Sequence, residues 1–135
     1  MSTVNTLDPA AAAGDLADLF NSLSDAVDNF RINNSSTLSV ADKSRLKDEA
    51  QGLTDRAHYF TAEAIGATLQ SIQSDLANIK TVTGQAAAAL KTLNNVSKAI
   101  AIATSAVALG AAIAAGNPAT IASAAQGLVQ TIAGQ

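Results

Sequence analysis

The sequence predicts an all-α fold: an elongated helical bundle with a long central helix and a C-terminal apolar helical hairpin. Three observations carry that expectation. Apolar residues make up 48% of the 135 positions and 31 of them are alanine, the strongest helix former. Aromatics are only 3% and there are two prolines, so the alternating runs and turn punctuation of a sandwich or barrel are missing. The larger apolar side chains recur at three- and four-residue spacing, the period of one helix face.

Charge divides this single helical domain into three blocks. Residues 1–38 form an acidic amphipathic helix and loop, with Asp8, Asp15, Asp18, Asp25 and Asp28 ahead of any base. Residues 39–98 form a long amphipathic helix, and all eight bases lie between Arg31 and Lys98. Residues 99–135 carry no charged side chain. Charged groups normally make up about a quarter of a soluble domain, so this last block has to be covered by protein or by lipid.

The first helix starts at Pro9, with Asp8 as its N-cap and proline in the first turn, where its missing N–H costs nothing. Leu16, Leu19, Phe20, Leu23, Val27 and Phe30 form its apolar stripe, and a polar loop follows from Arg31 to Thr37. Ser39 caps the second helix. Its seam runs Leu46, Ala50, Leu53, Ala57, Phe60 and Ala64, then shifts by one residue to Ile65, Leu69, Ile72, Leu76 and Ile79. It continues to Leu90 and Leu93 in a near-heptad pattern. A kink or a division into two helices is expected at Thr81-Val-Thr-Gly84, where β-branched residues and glycine weaken the helix. A rod of that length has more seam than the first helix can cover, which predicts self-association.

The final block reads as two antiparallel apolar helices. Gly116 suits a left-handed C-cap, Asn117 an N-cap and Pro118 a first-turn position. Ala99–Ala115 is 17 residues long, near the short limit for crossing a bilayer. The candidate membrane-inserting residues are Ile100, Ile102, Val107, Leu109 and Ile113 on the first arm, and Ile121, Leu128, Val129 and Ile132 on the second. Ala106, Gly110 and Ala114 make a row of small residues that lets helix backbones approach closely in lipid. Ser123, Gln126, Gln130 and Thr131 form an uncharged polar stripe and are candidate pore-lining residues. Because the hairpin is a separate block by composition, a chain lacking it is expected to stay soluble and helical.

The same inventory argues against other functions. With no cysteine, disulfides, thiolate metal sites and cysteine nucleophiles are excluded. His58 is the sole histidine and no motif brings it to a nucleophile, so no enzyme, metal or cofactor is expected. A formal charge of −3 argues against nucleic acid. No small-molecule substrate is indicated. Lys43, Arg45 and Lys47 could touch anionic headgroups, but Asp42, Asp48 and Glu49 are interleaved with them and favour a solvated, ion-paired surface. The N-terminus lacks the basic and apolar regions of a signal peptide. That predicts export by another route followed by membrane association, with a cytoplasmic location as the alternative.

A charged helical body followed by an uncharged hairpin resembles the α-helical pore-forming toxins, specifically the colicin and cytolysin A designs. The resemblance rests on the pattern of residues 85–135 and on no diagnostic motif. It implies an oligomerising pore component, bacterial and secreted, whose partners are a lipid membrane and further copies or subunits. The alternative is a soluble structural or adaptor protein whose apolar C-terminal helices are buried in a homo-oligomer or a partner.

Overall fold

The computed structural model describes residues 8–93 and 95–133. Among them are six α-helices and no strand: α1 (Pro9–Asn33), α2 (Val40–Tyr59), α3 (Ala62–Ser71), α4 (Leu76–Thr92), α5 (Val96–Ala115) and α6 (Pro118–Ala133). The all-α expectation holds. The central helix does not: residues 39–98 form α2, α3, α4 and the start of α5.

Local chemistry sets each break. Phe60 leaves helical geometry, and Thr61 then caps α3 by accepting a hydrogen bond from the Ala64 N–H. A 3₁₀ turn at Gln73–Asp75 leads into α4. Asn95 caps α5 by accepting from the Lys98 N–H. The break expected at Thr81–Gly84 is absent. Thr81 and Thr83 donate to the carbonyls of Ala77 and Ile79 one turn back, and α4 runs through.

The contacts fix the directions of the helices. Ser24 donates to the Ala50 carbonyl and pairs with the Thr54 hydroxyl, so α1 and α2 are antiparallel. Lys80 bridges to Asp15 at 3.0 Å, and Leu90 faces Ala26 and Phe30 farther along, so α1 and α4 run parallel. Thr104 meets Glu49, Val107 lies over Gly52 and Gly110 over Arg56, so α2 and α5 are also parallel. The Ser105 and Thr131 hydroxyls pair across the antiparallel α5 and α6. Helix α3 lies across one end, with Gly66 against Pro9 and Thr68 beside Gly116.

Phe20, Leu46, Leu53, Ile65, Leu69, Ile79, Ile102 and Leu109 meet in one core. Two consequences follow. Because the seam folds back on itself in short helices, it needs no second copy to cover it. Because Ile102, Leu109 and Ile113 are part of the shared core, removing the hairpin would open that core. The truncated chain is therefore expected to lose cooperative folding.

Gly110 is the tightest point. A Cβ there would lie 2.8 Å from a Phe20 ring carbon and 3.0 Å from Arg56 Cγ. Gly14, within α1, has no neighbouring atom within 4 Å of such a Cβ. Gly110→Val should therefore destabilise by about 1–3 kcal/mol through overpacking. Gly14→Ala should stabilise by roughly 0.5–1 kcal/mol, because alanine loses less backbone entropy on folding. Thermal melts followed by circular dichroism should move in opposite directions, and a rise or no change for Gly110→Val would show that the notch is slack.

Candidate functional site: the uncharged hairpin

The turn of the hairpin forms as its residues require. Gly116 has φ of +83°, a left-handed conformation that a side chain resists. Asn117 Oδ1 accepts from the N–H groups of Ala119 and Thr120 and so caps α6. Pro118 follows in the first turn.

The candidate inserting residues lie at three depths. Ile102, Leu109, Ile113, Ile121 and Leu128 are buried, Ile100, Val107 and Ile132 are half-buried, and Val129 is exposed. On the small-residue row, Ala106 and Gly110 are buried and Ala114 is half-buried. In this structure Gly110 admits Phe20 and the stem of Arg56. The outward face of α5 carries Ala101, Thr104, Ala108 and Ala115.

Ser123, Gln126 and Gln130 share the solvent face of α6 with Ala119, Ala122 and Val129. Thr131 stands apart from them. Its hydroxyl donates to the Gly127 carbonyl and faces Ser105 on α5. The α6 stripe is therefore three polar residues among small ones, and Thr131 helps to join the two arms.

Helix α5 is hydrogen-bonded to α2 at Thr104. The Thr104 hydroxyl donates to Glu49 and accepts from Arg45 at 3.3 Å, while Arg45 also reaches Glu49 at 3.4 Å. The Glu49 side chain is only 13% exposed, so this small network satisfies a largely covered carboxylate. Nearby, Arg56 Nε is buried without a hydrogen-bond partner. Sequence reading missed Thr104 as a contact point, since a lone threonine in an apolar helix gives no signal of the partner it meets.

Among the described residues no cluster of acidic, histidine or cysteine side chains could hold a metal ion. One helix there, Val96–Ala115, is long and apolar enough to cross a membrane. No protein family, curated protein or solved structure matches the chain.

The Thr104 network makes a definite prediction. Thr104→Val keeps the volume but removes one of the two donors to Glu49, leaving only the longer Arg45 contact, and losing a hydrogen bond to a charged group costs about 1.5–3 kcal/mol. The urea midpoint should fall accordingly, while Thr104→Ser, which keeps the hydroxyl donor, should retain most of the parent's stability. Equal stability for Thr104→Val and the parent protein would mean that water replaces the hydroxyl freely.

Proposed function

We propose that the protein is a membrane-inserting pore component that stores its hairpin within its own helical bundle. The observation that carries this reading is the run of residues 99–135 without a charge, which through Ala133 folds as a helical hairpin whose first arm buries one face against α1 and α2 and leaves the other exposed. What holds α5 to the body is mainly apolar packing, and hydrocarbon offers an apolar environment of the same kind. Beyond Lys98 its outward residues are alanines and a threonine, and the tip at Gly116-Asn117-Pro118 is uncharged, so insertion carries no ionised group across.

One hairpin supplies two helices, too few to enclose a channel. A pore on this plan needs several copies or further subunits, with Ser123, Gln126 and Gln130 facing water. The burial of Ile102, Leu109 and Ile113 favours one second reading, a soluble structural or adaptor protein whose hairpin never leaves the core.

Ala108→Asp separates the two. Ala108 is exposed, so the variant should fold and melt like the parent. In a bilayer centre the carboxylate costs about 2.5–3.5 kcal/mol, so dye release from liposomes should be lost. Ala119→Asp, at the exposed tip, should fold normally because a negative charge is favoured at a helix N-terminus, yet slow release. If the parent protein releases no dye from neutral or anionic vesicles, the adaptor reading replaces the pore.

A further inference from the structure

We infer that the bundle docks on an anionic lipid surface through the end opposite the hairpin tip. That end is built from the last turns of α1 and α4, the loop 34–39, and the first turns of α2 and α5. The helix directions gather six of the chain's eight bases there: Arg31, Lys43, Arg45, Lys47, Lys91 and Lys98. The acids with them are Asp25, Asp28, Asp42, Asp48 and Glu49. Arg31 pairs with Asp28 and Arg45 with Glu49, which leaves four lysines against three aspartates. The tip end has the opposite sign, with Asp8, Asp15, Asp55, Glu63 and Asp75 near it against Arg56 and Lys80, the latter bound to Asp15.

A second observation falls on the same end. Val40 is 83% exposed and Ile32 is 59% exposed, and these two flank the loop between α1 and α2. They are the most exposed large apolar side chains among the described residues. Exposed apolar side chains at an end that also carries four lysines suit a headgroup layer with acyl chains beneath it. A nucleic-acid backbone would satisfy the lysines but offer nothing to Val40, and no exposed aromatic stands at this end to stack on a base.

The surface also makes sense of the hairpin's orientation. Helix α5 begins and α6 ends at this docking end. A hairpin swinging outward from it keeps Lys98 at the headgroups while the uncharged tip moves through the bilayer. In that respect the inference rests on the membrane reading, although docking can be measured without permeabilisation.

The test is flotation of the full chain with vesicles of phosphatidylcholine alone or with phosphatidylglycerol added. The parent protein should bind only the anionic vesicles, and binding should collapse near 1 M salt, where screening shortens to about 3 Å. Lys43→Gln with Lys47→Gln should weaken binding about 30-fold. Val40→Asp should weaken it about tenfold or more. Melting curves of both variants should match the parent, since none of these side chains is buried. Equal binding to neutral vesicles, or variants that bind like the parent, would overturn the surface. So would a parent protein that ignores both vesicles and is retained on immobilised RNA. Variants that still dock and release dye would remove this surface and leave the hairpin reading. Loss of docking in the variants, with no dye release by the parent, would keep the surface and remove the pore.

Discussion

Beyond Lys98 helix α5 carries no charge, so its apolar face has to be covered, and that requirement governs the rest of the molecule. Its inner face, from Ala99 through Ile113, is buried. Coverage comes from α2 running parallel to it, from α1 through Phe20, and from α6 folding back beside it. Two parallel helices cannot be joined by a tight turn, so the chain between α2 and α5 has to travel the length of the bundle. Helices α3 and α4 make that journey: α3 crosses the tip end and α4 returns along α1. Gly110 then lets α1 and α2 approach closely, because Phe20 and the Arg56 stem occupy the space that a side chain would fill.

Much of this was legible in the sequence. Asp8-Pro9 placed the start of α1, and Gly116-Asn117-Pro118 placed the hairpin turn, because caps and left-handed positions depend on local chemistry. The seam residues from Leu46 to Leu90 are buried as expected, except Ala64. What the seam misjudged was continuity. Its one-residue shift between Ala64 and Ile65 marks the break at Phe60 and Thr61, where the face changes because the helix ends. Read as drift along a single helix, the same shift concealed the turn. The opposite error fell on Thr81–Gly84, where propensity suggested a break but hydroxyls bonded to the preceding turn, together with the burial of Val82 and Thr83, kept α4 intact.

The hairpin's inner and outer faces were less legible. Sequence periodicity gives the angle of a residue around its helix, but not which neighbour waits there. Ala106 and Gly110 read as a helix-packing row in lipid; both are buried in protein, and Gly110 meets Phe20 and Arg56. Thr131 shared a polar stripe by composition and turns to Ser105 by position. The exposure of Ile32 and Val40 was hidden for another reason. Each sits next to a helix boundary, where a shift of one residue changes the side that a chain segment presents.

The balance between protein and lipid follows from the sizes of α5's side chains. On an insertion scale its five larger apolar residues supply roughly −2 to −3 kcal/mol. Burying Ile102, Leu109 and Ile113 in protein contributes about 5–9 kcal/mol, and the Thr104 network adds to that. An isolated bundle in water therefore keeps its hairpin, and hydrophobicity alone does not expel it. For the hairpin to leave, the body must gain something at the membrane, or several hairpins must gain from packing together there. The small residues that make α5 a weak membrane anchor also keep this difference to a few kcal/mol, within reach of surface binding and assembly. A hairpin rich in leucine would insert more firmly, but its exposed face would be poorly tolerated in water. Alanine on the outward face of α5 meets both requirements, since it disturbs neither water nor hydrocarbon strongly.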